Sequence, residues 1–119
     1  MRASVRGLLV LLLIGLAGNA LAVNTRFLRS TPAARFNAQD FAMLQAAFDK
    51  AMDDGASGVT VEWQNPATGS AGAITPHDRF ERDGRSCRRA TVATSHRQRH
   101  SEGGHVFCKG VDAGWQLQP

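Results

Sequence analysis

Between Gly55 and Gly58 the hydrophobic period of this chain changes, and the change restricts the fold to one helix followed by a sheet. Ahead of it, Phe41, Leu44, Phe48, Ala51 and Met52 recur at the three- and four-residue spacing that places side chains on one stripe of a helix. Asn37 is a good N-cap, and Asp40 stands where its carboxylate can accept from the free N–H groups of the first turn. The spacing predicts an amphipathic helix of about 15 residues, closed by Gly55. Behind it, Val59, Val61 and Trp63 alternate with Thr60, Glu62 and Gln64, the two-residue period of a half-buried strand.

Asn65 to Gly69 reads as a turn, with Pro66 fixing one φ and Gly69 free to take a positive one. A second strand is expected from Ser70 to Thr75, a third from Arg85 to Thr94, a fourth from His105 to Lys109 and a short last one from Trp115 to Gln118. The charged segment Pro76 to Gly84 reads as a connection or a frayed strand end, and Ser95 to Gly104 as a polar excursion. The expected class is therefore α+β: one N-terminal amphipathic helix packed on a four- to five-stranded antiparallel sheet. Phe41, Leu44 and Phe48 would meet Val59, Val61, Trp63 and Trp115 in a single core.

The first 22 residues read as a cleavable secretory signal. Arg2 and Arg6 precede the apolar run Gly7 to Gly18, and Ala20-Leu21-Ala22 offers the small residues that a signal peptidase accommodates. The apolar run is shorter than the roughly 20 residues that a permanent span needs, so no integral membrane span is expected in the mature chain. Residues 23–36 form a lead-in and residues 37–119 one small domain. Export makes Cys87 and Cys108, the two cysteines of the chain, a disulfide pair, because the compartment oxidises thiols and a small core gains from a cross-link.

Removing Arg2 and Arg6 lowers the formal net charge from +4 to +2, which gives no argument for nucleic acid as partner. The basic residues are unevenly placed, however. Arg85, Arg88, Arg89, Arg97 and Arg99 are candidates for contact with phosphates or carboxylates. His96, His100 and His105 are the weak metal candidates, but Arg97 and Arg99 interleave with them and repel a divalent cation. The alternative function is a periplasmic metal-binding protein using those three histidines, or a small enzyme. No Gly-x-Ser-x-Gly elbow and no spaced carboxylate pair marks a catalytic residue, and no cofactor motif occurs. Trp63 and Trp115 are candidates for the floor of a ligand groove, against a purely structural place in the core.

The run Val61-Glu62-Trp63-Gln64-Asn65-Pro66-Ala67-Thr68-Gly69-Ser70-Ala71-Gly72, followed by Ile74-Thr75-Pro76, Cys87-Arg88 and Cys108 to Trp115, resembles the C-terminal domain of the bacterial 17 kDa surface-antigen family. The resemblance implies a non-catalytic envelope protein of a Gram-negative bacterium with a small α+β domain, for which lipopolysaccharide, peptidoglycan or another envelope protein is the expected partner of the arginines. Such proteins carry a lipid-bearing Cys at the cleavage point and a glycine-zipper segment before the domain, neither of which this sequence has. The expectation is an exported, periplasmic form, with outer-membrane or surface association as the variant the family suggests.

Overall fold

The computed structural model describes residues 26–119. The expected signal segment and its cleavage point lie outside the described residues. Two short 3-10 turns, Arg26–Leu28 and Pro32–Arg35, lead into helix α1, Ala38–Asp49, which continues as a π turn over Lys50–Asp54. Five antiparallel strands follow and pair in chain order: β1 Val61–Asn65, β2 Ser70–Arg82, β3 Arg85–His96, β4 Arg99–Lys109 and β5 Trp115–Leu117. The helix covers one face of the sheet, so the two-layer α+β expectation holds, although the helix is preceded by the two 3-10 turns.

Leu44, Ala47, Phe48, Ala51 and Met52 meet Trp63, Ile74, Ala90, Val92, Phe107 and Trp115 in the core. Leu28, Ala33 and Phe36 of the lead-in close its open end. Phe36 sets its ring edge-on to Trp63 at 5.3 Å, and Phe27 packs against His105 at 4.6 Å. Val59 lies outside this core, 55% exposed, because pairing with β2 starts only at Val61.

Two segments expected to be irregular are strand. Pro76 to Arg82 continues β2, and its regular alternation is hidden by a bulge between Pro76 and Arg79. Pro76 has no N–H to give the ladder, and a bulge is where a strand tolerates that. Asp83 and Gly84, both at positive φ, then make a two-residue turn into β3. Ser95 to Gly104 is likewise the tip of a hairpin, in which Arg97 and Gln98 turn the chain between His96 and Arg99. Arg97 takes the left-handed conformation, φ 58°, while its N–H donates to Gly69 O at 2.8 Å.

Cys87 and Cys108 stand opposite each other on β3 and β4 and are bonded. The pair is buried on the face away from the helix, in one cross-strand row with Phe80 and Gln116.

Candidate functional site

The N-terminal end of α1 is tied to the sheet by one buried carboxylate. Asp40, fully buried, accepts from the Asn37 N–H at 3.0 Å, completing a capping box in which Asn37 Oδ1 accepts from the Asp40 N–H. Its remaining lone pairs are filled from the β1–β2 turn: Asn65 Nδ2 and Thr68 Oγ1 each donate to Oδ1 at 2.8 Å, and Ser70 Oγ donates to Oδ2 at 2.9 Å. Burial alone would raise the pKa of Asp40. The bonds from Asn37, Asn65, Thr68 and Ser70 outweigh it and hold the group below its ordinary value. The turn motif read in the sequence is thus a set of donors for a helix carboxylate.

His96 Nδ1 lies 2.9 Å from Ser70 Oγ, so serine, histidine and aspartate do meet here. The order is wrong for nucleophilic catalysis. Ser70 gives its only proton to Asp40 and is 1% exposed, leaving no open approach to its oxygen and no base poised to take that proton.

The other end of the helix is held by cations. The Arg88 guanidinium donates to His77 O at 2.7 Å, Ala51 O at 3.1 Å, Met52 O at 2.9 Å and Gly55 O at 2.6 Å. The bulge in β2 is what turns the His77 carbonyl free of the ladder. Arg79 adds bonds to the Met52 and Asp53 carbonyls, and Asp53 accepts from Trp115 Nε1 and Lys109 Nζ. These donors satisfy the last carbonyls of the helix, where the dipole is negative. Gly55 does not close the helix through a positive φ: its φ is −74°, and glycine is needed because a Cβ would lie 2.5 Å from Ala51 O.

Two concave surfaces flank the β3–β4 hairpin. One, of about 680 Å3, runs between the lead-in and the start of β4 and is edged by Arg29, Arg35 and Arg99 together with Ser30, Thr31 and Ser101. It has no carboxylate in its lining, so three exposed guanidinium groups set its potential. The other, of about 800 Å3, is a trough on the sheet face away from the helix. Two cross-strand rows build it, Glu62-Ala73-Ala93-Glu102 and Gln64-Ala71-Ser95-His100. Its floor is alanine, its charged groups are two glutamates, and no lysine or arginine lines it.

The family model described as the 17 kDa outer membrane surface antigen matches residues 50–116 of this chain. The chain belongs to that family. Among curated proteins it is 30% identical over 82 residues to the 17 kDa surface antigen of Rickettsia prowazekii (strain Madrid E) and 29% identical over the same length to that of Rickettsia bellii (strain RML369-C). Each match takes in 66% of this chain and 50% of the relative, so the chain spans about half the length of the curated relatives it matches. No solved structure matches it.

Within this surface-antigen domain the sequence candidates fall in separate places. Arg88 is no surface contact, since it is 2% exposed and all its bonds go to backbone carbonyls. Arg85, half-buried, and Arg89, exposed, lie on β3 away from the hairpin tip, whereas Arg97 forms the tip and Arg99 edges the cleft. Arg29 and Arg35 join Arg99 there. No local pattern marks this grouping, because the lead-in meets β4 only in the fold.

Trp63 and Trp115 do not share a groove. They lie on opposite edge strands, 8% and 5% exposed, and both belong to the core. Trp63 lies against Gly72, where a Cβ would come 2.5 Å from Nε1. The histidines are also dispersed: His96 bonds Ser70, His105 packs between Phe27 and Phe107, and His100 borders the trough. Among the described residues, no three His, Cys, Asp or Glu side chains gather as a metal site. No helix among them is long and apolar enough to cross a membrane.

Proposed function

We propose that this chain is an exported, non-catalytic envelope module of the surface-antigen kind that contacts anionic envelope groups through the cleft of Arg29, Arg35 and Arg99. The observation that carries the reading is that those three exposed arginines line one concave surface without a carboxylate. Guanidinium forks match phosphate and carboxylate oxygens, and both are abundant in lipopolysaccharide and peptidoglycan. The apolar N-terminal run behind Arg2 and Arg6 supports export, with the periplasm as destination and outer-membrane or surface association as the alternative.

Retention on immobilised lipopolysaccharide tests it. Exposed charge pairs are screened over about 10 Å at 0.1 M salt, so retention should be strong in dilute buffer and fall as salt rises. Arg35→Ala with Arg99→Ala should weaken retention at low salt at least fivefold, whereas His96→Ala with His100→Ala should leave most of it. Absent retention at low salt would refute the reading, as would loss in the histidine variant with rescue by added zinc.

A further inference from the structure

The sheet is left open along part of β4. β5 pairs only with Phe107 to Lys109, and Gln118 N–H adds one further bond, to Val106 O. Antiparallel pairing alternates between residues whose N–H and C=O point into the neighbouring strand and residues whose groups point away. Three observations agree on which are which in β4. His96 and Arg99 close a two-residue turn and so bond each other; Val106 O faces Gln118 on the far side; Cys87 and Cys108 approach to 3.9 Å between Cα atoms, the close spacing of a pair without ladder bonds. By that alternation the N–H and C=O groups of His100, Glu102 and Gly104 point off the open edge. Among the described residues none of them has a hydrogen-bond partner.

An edge of this kind is normally blunted by proline, lysine or a bulge. Between Arg99 and His105 this one has no proline, lysine or bulge and only the charges of Arg99 and Glu102, its register with β3 is unbroken, and a Cβ on Gly104 would meet nothing within 4 Å. It also runs between the two concave surfaces, since His100 and Ser101 line both. An added strand would send alternate side chains to the two sheet faces. On the helix side they meet the arginine cleft, and on the other side they meet Glu102 and the alanine trough leading to Glu62.

We propose that this edge docks an extended peptide whose alternate side chains carry opposite charge, an acidic one entering the arginine cleft and a basic one lying against Glu102. A second copy of the chain is a poorer occupant. The residues that its own β4 would offer on the helix side are Arg99, Ser101 and Gly103, which bring the cleft no carboxylate. The proposal rests on the reading of the cleft as an anion site.

The probe is a fluorescein-labelled, terminally blocked decapeptide of alternating Glu and Lys. The control has the same composition in two blocks, five Glu then five Lys. The oxidised protein should bind the alternating peptide at least tenfold more tightly by anisotropy, and amide exchange at His100, Glu102 and Gly104 should slow in the complex. Glu102→Lys should weaken binding at least fivefold while its circular dichroism stays unchanged. N-methylation of alternate residues of the peptide, which leaves the protein untouched, should weaken binding to the same degree in one of the two phases. Equal binding of the block peptide, or unchanged exchange at the three amides, overturns the proposal. If inorganic pyrophosphate shifts the side-chain resonances of Arg35 and Arg99 and the alternating peptide does not bind, the cleft reading survives and the strand proposal falls. If neither probe binds, both fall. Self-association that protects the same three amides assigns the edge to a second copy and also overturns the proposal.

Discussion

Arg88→Met removes the cation that holds the end of the helix while keeping side-chain length, and its cost follows from which carbonyls are left bare. Four carbonyls lose a bond, but not equally. Ala51 O keeps the Gly55 N–H at 3.0 Å, and Met52 O keeps Arg79 at 3.1 Å. His77 O and Gly55 O lose the only side-chain donor each has. Both lost bonds are only partly buried, so each bare carbonyl costs toward the lower end of the about 1–3 kcal/mol of an unpaired buried group, about 3 kcal/mol for the two. Removing a buried charge returns part of its desolvation cost, which brings the expected loss to about 2–3 kcal/mol. That is a large fraction of the roughly 5–15 kcal/mol by which a domain is stable. With a urea dependence of about 1 kcal/mol/M, the unfolding midpoint should fall by about 2–3 M, followed by tryptophan fluorescence on oxidised protein. Arg79→Met, which removes an exposed side chain bonded to the same turn, should cost less than about 1 kcal/mol. A loss below about 1 kcal/mol for Arg88→Met, or equal losses for the two variants, refutes the clamp.

Asp40 is held below its ordinary pKa of 3.8, so its share of stability is complete above that value and drains away as pH falls through the lower folded value. Asp40→Asn should flatten the pH dependence of urea stability below about pH 4 and lower stability at pH 7 by about 2 kcal/mol. Burial lowers the pKa of His105 below 6.5, so folding is favoured by the neutral ring and stability should begin to fall as pH drops below about 6.5. His105→Phe should remove that slope between pH 5 and 7, and an unchanged slope would assign it to another group. Gly72→Ala should cost about 1–3 kcal/mol and alter the near-ultraviolet dichroism of Trp63, because the new Cβ has the indole at 2.5 Å and Ala93 O at 2.8 Å. Reducing the Cys87–Cys108 bond, which joins residues 21 apart in sequence, should cost about 3 kcal/mol and leave the edge amides of β4 unchanged in shift.

The helix, the sheet and the disulfide were readable because each rests on local chemistry. A cap at Asn37, a period of 3.6 up to Met52, a period of two from Val59 and a lone cysteine pair are all printed in the sequence, although pairing itself begins only at Val61. What could not be read is where distant segments meet. Pro76 to Arg82 looks like a charged connection because the bulge breaks its alternation, and the partner that makes it a strand, β3, is supplied by the fold. Ser95 to Gly104 looks like a loop because no apolar residue marks its inward face near the hairpin tip, which is covered in part by the lead-in instead. Arg88 looked like one arginine among five. Nothing in Cys-Arg-Arg-Ala tells that one guanidinium enters the core to meet four carbonyls from two other segments, and only the β2 bulge and the end of the helix define that place. The same holds for the cleft, whose three arginines are separated by more than sixty positions at the extremes, Arg29 and Arg99.

Most of the polar positions that carry the family likeness are spent inside the fold, although Glu62, Gln64 and Ala71 of the same run line the trough, and the geometry says why. Asn65, Thr68 and Ser70 spend their polar atoms on Asp40, Gly72 is filled by the Trp63 indole, and the Arg next to Cys87 caps the helix. Each of these groups is saturated by intramolecular bonds or contacts, so none is left to recognise a ligand. Together they fix both ends of the helix on one sheet face. The consequence is that the opposite face and the β4 edge stay open, with their charges unneutralised by the domain itself. A surface-antigen domain of this construction can therefore keep its motif and its fold while the residues at Arg29, Arg35, Arg99 and Glu102 vary. Recognition has to be tested at those four positions, since a substitution at Asn65, Thr68, Ser70, Gly72 or Arg88 would report on stability whatever the ligand.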